Sequence, residues 1–329
     1  MPVVTAAAHR SRVLAAMHDA GIDVLVLGRE SNARFVSGAD RLWLAGTRAF
    51  APGCVVVAST GAVHLLSITD DGIPPDVPPD RLFPIAWNPM TILGNVAAIE
   101  GVAGVRRIGV DGMTPMFEAL IGAVHPGAEL VDAESMLRAV RRTKSPEDLA
   151  GVTAAVAAAE SALGAVAAAL RPGATEIELA AVFEEAMTAS ALTAPAFDAM
   201  CCVADEAASP CPSPTQREVA VGDRVHVRAG VMRDGWEGVV VRTLESDGTP
   251  LRSPLLADAI ARCTVGAGVG DVRGTVAALE GTGMGHEELA DDDVLEPDMV
   301  VFVEVLDGDV VDGATIHVCA DGPAVFSAR

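Results

Sequence analysis

Residues 141–151 read Arg-Arg-Thr-Lys-Ser-Pro-Glu-Asp-Leu-Ala-Gly, a run that fixes a helix start in the middle of the chain. Ser145 is a good N-cap, Pro146 suits the first helical position, where no N–H is needed, and Glu147 and Asp148 favour the positive end of the helix dipole. Val152, Val156, Leu163, Val166 and Leu170 then recur on one narrow stripe, and Arg171-Pro172-Gly173 stops the helix. Thr175 followed by Glu178 makes a capping box for a second helix through Ser190. A start signal of this strength divides the 329 residues into 1–141 and 142–329, each of ordinary domain size.

The first part opens as α/β. Val13, Leu14 and Met17 lie at helical spacing, Gly21 ends that helix, and Ile22 to Gly28 reads as a buried strand. Cys54–Ala58 and Val63–Leu66 form a hairpin across Ser-Thr-Gly. A strand at Arg107–Val110, a helix at Pro115–Val124 and a strand at Glu129–Val131 complete this domain, with the Pro-rich stretch Gly72–Pro84 as a long loop. The second part is α+β: after its two opening helices come strands at Ala194–Val203, Arg224–Met232, Trp236–Leu244, Met299–Leu306 and Gly313–Cys319, with two more helices between the third and fourth. Asp234-Gly235 suits a tight hairpin. The glycines at 266, 268, 270 and 274 do not make a dinucleotide fingerprint and read as turns.

Charge and composition exclude several function classes. The formal net charge of −22 repels phosphate backbones and acidic membrane surfaces, which disfavours nucleic acid and membrane partners. Aromatics are 3% of the chain and Tyr is absent, so base-stacking platforms are scarce. His9, Arg10, Arg12, His18 and Asp19 interrupt the N-terminal run, which is unlike a signal peptide, and Glu160 and Ser161 interrupt Gly151–Leu170, which suits a packed helix better than a membrane span. The resulting expectation is a cytoplasmic protein. Cys54, Cys201, Cys202, Cys211, Cys263 and Cys319 contain no C-x-x-C pair, so neither a zinc knuckle nor a disulfide framework is indicated. Cys201 and Cys202 are neighbours on a strand and point to opposite faces, so no bridge joins them.

Two strands carry a charge that local pattern does not explain. Glu304 interrupts the apolar run Met299–Leu306, and Arg228 interrupts Val225–Val231. A buried ion without a partner costs several kcal/mol, so each reaches water or meets an opposite charge. The sharper expectation is that the two share one internal pocket.

Several stretches carry a resemblance along the whole chain: RVLAAMHDAGIDVLVLGRESNARFVSGADRLW, TRAFAPGCVVV, RRTKSPEDLAGVTAAVAAAESAL, VAVGDRVHVRAG, DGWEGVVVRT, GTGMGHEE and LEPDMVVFVEV. In this order they resemble the creatinase, Xaa-Pro aminopeptidase and prolidase family. The resemblance implies a creatinase-like N-terminal α/β domain over 1–141 and an α+β pita-bread domain over 142–329. It also implies a site that in active members holds two divalent metals on two Asp, one His and two Glu. Matched position by position, Arg228 stands for the first Asp, Val239 for the second, Thr282 for the His and His317 for one Glu, while Glu304 remains; Cys211 replaces a further, substrate-binding His. Arg242 and Thr243 are kept.

One Glu and one His are too few donors for a dinuclear centre. A guanidinium about 4 Å from a dication at an effective dielectric near 20 is repelled by roughly 8 kcal/mol. The expectation is therefore no metal and no other cofactor, with Arg228 paired to Glu304. Cys211, Glu304 and His317, with Cys319 on the same strand face, would be the polar residues left in the pocket. His286, in an acidic run ending Asp291-Asp292-Asp293, reads as an exposed loop residue and not a compensating ligand.

Three function classes follow. The first is a non-catalytic homologue that binds a small molecule, a peptide or a protein partner, as a homodimer or in a heteromer with an active paralogue. The second is a metal-independent C–N hydrolase using Cys, His and Glu; creatinase, by the same resemblance, cuts such a bond without metal. The third is a residual Xaa-Pro metallopeptidase. The first is the expectation adopted.

Overall fold

The computed structural model describes residues 3–39, 53–67, 69–84, 86, 88–112, 114–190, 193–204 and 213–326. It divides into two compact units, Met1–Arg141 and Arg142–Arg329.

The first unit runs α1 (Val3–Ala20), β1 (Val24–Leu27), α2 (Glu30–Ser37), β2 (Cys54–Val57), β3 (Ala62–Leu66), β4 (Leu82–Phe83), α3 (Pro89–Ala97), β5 (Arg107–Asp111), α4 (Pro115–Val124), β6 (Glu129–Asp132) and α5 (Glu134–Arg142). Its sheet has the order β4-β3-β2-β1-β5-β6, with β1, β5 and β6 parallel and the expected β2–β3 hairpin antiparallel. Val24, Val26 and Ile108 meet Ile92, Leu93 and Val96 of α3 and Phe117 and Ile121 of α4 in one core. The stretch expected as loop over Gly72–Pro84 departs from that reading. Pro79–Arg81 makes a 3-10 turn with Pro at its first position, and Leu82–Phe83 adds β4 parallel to β3. Burial of Phe83 against the same core supplies the reason, since a two-residue strand has no periodicity to read.

The second unit runs α6 (Pro146–Ala169), α7 (Glu176–Ser190), β7 (Thr193–Val203), β8 (Arg224–Arg233), β9 (Trp236–Glu245), β10 (Pro250–Leu251), α8 (Pro254–Arg262), α9 (Val269–Arg273), β11 (Ala278–Gly283), β12 (Gly285–Glu287), β13 (Val300–Asp307), β14 (Val310–His317) and β15 (Ala324–Val325). The main path of its nine-stranded sheet is β12-β11-β13-β14-β9-β8-β7. Ser145 caps α6 as expected: its Oγ accepts from Asp148 N at 3.2 Å and its N donates to Asp148 Oδ2 at 2.9 Å. The Thr175–Glu178 box opens α7 in the same reciprocal way. α6 is long and apolar enough to cross a membrane by length and composition, yet Val152, Val156, Leu163, Val166 and Leu170 are all buried. Leu163, Val166 and Leu170 lie in a core with Val225, Val227, Ala229 and Val231 of β8. Gly238 permits that packing, because a Cβ there would stand 2.3 Å from the Ala155 carbonyl carbon of α6.

Asp234 and Gly235 both have positive φ, 51° and 87°, as a two-residue hairpin with right-handed strand twist requires. Two elements differ from the sequence expectation. Gly268 and Gly270, read as turns, lie at the N-cap and inside the short helix α9, whose Val269 and Val272 are buried. His286, read as loop, lies on β12, paired with Thr282.

Candidate functional site

Period-two alternation decides the site. On β8 and β9, Val225, Val227, Ala229, Val231, Val240 and Leu244 turn to the core under α6 and α7. On β13 and β14, Val301, Val303, Val305, Ala314 and Ile316 turn to a core with α8 and α9. Register ties the two halves, since Asp312 pairs with Arg242, so the helices share one face of the sheet. The opposite face receives Arg228, Val239 and Val241 from the hairpin and Phe302, Glu304 and Val311 from β13 and β14.

β14 and β9 lie between β13 and β8, so a flat sheet would hold the two charged residues about 14 Å apart. Arg228 Nε nevertheless donates to Glu304 Oε2 at 3.3 Å, which requires this face to curl inward. The Glu304 side chain is 5% exposed and that of Arg228 21%. Burial pushes the Glu304 carboxyl up, and the neighbouring guanidinium opposes that rise. Arg228 also lies 3.6 Å from Glu280 on β11 and stacks 4.9 Å over the Phe197 ring. Beneath it, Val239, Val241, Phe302 and Val311 form an apolar floor. Thr282 is 1% exposed.

The expected convergence of His317 on the Arg228–Glu304 pair is corrected by the register. Glu304 faces Gly313 across the β13–β14 ladder, whereas His317 pairs with Val300, about 13 Å further along. The His317 ring instead bonds Asp298 at 2.9 Å and the Cys319 thiol at 3.1 Å, a separate cluster away from Glu304. Partial burial and the Asp298 anion push the Cys319 thiol up, which leaves it less nucleophilic. The one cross-strand place for a carboxylate beside Glu304 is Gly313, and a Cβ there would stand 2.7 Å from the Phe302 ring. Cys211 lies outside the described residues.

Arg242 and Thr243 are structural. Arg242 faces the helices, bonds Glu160 of α6 at 3.2 Å and pairs closely with Asp312 of β14. Thr243 Oγ1 donates to the Val311 carbonyl at 3.0 Å and accepts from Val311 N at 2.8 Å, a side-chain rung between β9 and β14.

Sequence reasoning missed three residues here. Lys144, the only lysine, bonds Glu287 at 2.5 Å with its side chain 1% exposed. Glu237 is 7% exposed, and its carboxyl is pushed up to about 7 by burial and by the Glu280 and Glu287 anions, against Arg228. Glu237 interrupts the apolar start of β9 as Glu304 interrupts β13, so the same signal was available. Glu287 gave none, since it sits in an acidic run.

These residues do not fit a pair of divalent metals. Among the described residues no three His, Cys, Asp or Glu side chains are grouped as one ion would need. The carboxylate at 304 is engaged by a guanidinium, and the aliphatic Val239 and the side-chain-free Gly313 donate nothing.

The fold defines the class: an α/β domain followed by a pita-bread domain. The Creatinase/Prolidase N-terminal domain model matches residues 9–143, and the Metallopeptidase family M24 model matches residues 150–265. The chain belongs to the creatinase/prolidase family. Among solved structures it is similar to the prolidase from Pyrococcus furiosus, with TM-score 0.78 and 16% identity over 97% of this chain and 99% of that one. It is also similar to the Xaa-Pro dipeptidase from Bacillus anthracis, with TM-score 0.77 and 19% identity over 98% of each chain. The X-Pro aminopeptidase from Thermotoga maritima gives TM-score 0.77 and 15% identity over 97% of each chain. A search of curated protein sequences finds no match.

Proposed function

We propose that this chain is a non-catalytic member of its family, a ligand- or partner-binding protein in which charged side chains replace the dinuclear metal centre. The contact between Arg228 and Glu304 carries this reading. It puts a fixed cation on the one retained family carboxylate, and a metal entering there would have to displace it. Without metal the family's route to an activated water is lost. What remains on this face is a buried apolar cluster under the charged side chains of Arg228, Glu280 and Glu304, and those charges are what a ligand or partner would meet. The protein is read as cytoplasmic and as a homodimer or the partner of an active paralogue, the last by analogy within the family.

Turnover of Xaa-Pro dipeptides tests the reading. The expected result is none, with or without added manganese or cobalt. Turnover abolished by a chelator would make the chain a metallopeptidase and overturn the proposal. Turnover abolished by a thiol reagent alone would make it a metal-independent hydrolase, also against the proposal.

A further inference from the structure

Ala62, His64 and Leu66 share one face of β3. Leu66 joins the core with α3, yet His64, at a position whose pattern calls for an apolar residue, is only half-buried. It lines a cleft of about 480 Å³ at the edge of the first sheet, where β4 ends the strand order. The rest of the lining comes from the 3-10 turn Pro79–Arg81, from β4, and from the last turn of α3 with the residues after it. That volume is in the range of small-molecule sites.

The charges in this cleft do not satisfy one another. Arg81, Asp80 and Glu100 all line it, and among the described residues none of the three makes an ion pair or a side-chain hydrogen bond. Burial first and the Arg81 charge next hold the His64 imidazole below its ordinary value, against Asp80, so at neutral pH it is an uncharged donor and acceptor. The amide nitrogen of Asn95 is buried without a hydrogen-bond partner, an unmet donor on a lining residue. Glu100 follows the C-terminal end of α3, whose partial negative charge adds to its own. One guanidinium thus stands with two carboxylates, so a plain anion is repelled overall and a plain cation leaves Arg81 unmet. A guest that carries both signs answers both. Phe83 and Ile99, also in the lining, offer such a guest apolar surface.

We propose that this cleft binds a zwitterion, a free α-amino acid with an apolar side chain, its carboxylate on Arg81 and its ammonium at Glu100 and the end of α3. The site lies wholly in the first unit and does not rest on the reading of the second.

The test is isothermal titration calorimetry on the full chain at neutral pH. L-leucine is expected to bind at one site per chain, at least about tenfold more tightly than 4-methylpentanoate, which lacks the amine, or 3-methylbutylamine, which lacks the carboxylate. Arg81→Gln is expected to weaken leucine by about tenfold or more and to leave 3-methylbutylamine unchanged. The guanidinium has no partner in the protein, so the variant should keep its melting temperature. Neither heat nor a melting-temperature shift with leucine up to about 10 mM would overturn the proposal. So would either truncated compound binding as tightly as leucine. Full leucine affinity in Arg81→Gln would place the amino acid elsewhere on the chain and overturn it too.

Discussion

Arg228 and Glu304 lie 76 residues apart along the chain and 3.3 Å apart across the concave face of the second sheet. Glu304 is the more deeply buried partner, so removing the guanidinium leaves an uncompensated carboxylate. Arg228→Met is expected to lower unfolding free energy by about 2–4 kcal/mol, measured by urea denaturation. Adding Glu304→Gln should recover part of that loss. If the two single losses simply add, the pair is not coupled and its place at the centre of the site is wrong.

The Lys144–Glu287 pair supports a second prediction. Lys144 carries the only side-chain amine, and it is 1% exposed. An amine-reactive ester should therefore label the folded chain at its terminus alone and gain the Lys144 adduct only on unfolding. Lys144→Met should cost about 3–5 kcal/mol, because Glu287 then keeps a buried charge without its partner. Rapid labelling of Lys144 in the folded chain would show that the pair opens to water.

These pairs mark how far the sequence could be read. Arg228 and Glu304 were legible because each breaks an apolar strand run, and physics demands a partner for such a charge. The cap at Ser145 was legible because capping chemistry is local. His317 was misplaced because register is not local: matching a strand by residue type alone cannot say which residue faces Glu304, and the ladder puts Gly313 there. β4 and β12 are too short for any period to show.

pH dependence tests the buried carboxyl of Glu237. Its ordinary value is 4.5 and its folded value about 7, raised by burial and by Glu280 and Glu287. Between those two values the folded chain binds a proton that the unfolded chain releases. Its contribution to stability is therefore full below the unfolded value and is lost as pH rises through about 7. Asp111, raised from 3.8 to about 6 chiefly by burial, acts with the same sign over a lower window. Melting temperature should fall between pH 5 and pH 7.5 (roughly the span set by these groups), and Glu237→Gln should flatten the upper part of that slope. A slope unaffected by the substitution would assign it to other groups.

The last prediction concerns restoring metal. On the proposed reading, Arg228→Asp with Val239→Asp would put a carboxylate at each of the two hairpin positions and remove the repelling guanidinium. Two positions would still be wrong. Thr282 offers a hydroxyl in place of an imidazole, and Gly313, opposite Glu304, offers nothing. A carboxylate at 313 cannot simply be added, since the Phe302 ring occupies the space its Cβ needs. The double variant is therefore expected to bind no stoichiometric manganese by elemental analysis. A chain that also carried Thr282→His, Phe302→Ala and Gly313→Glu would have the donors and the room. Two bound ions in the double variant would mean that the closed-off position at 313 does not keep metal out, against the proposed reading.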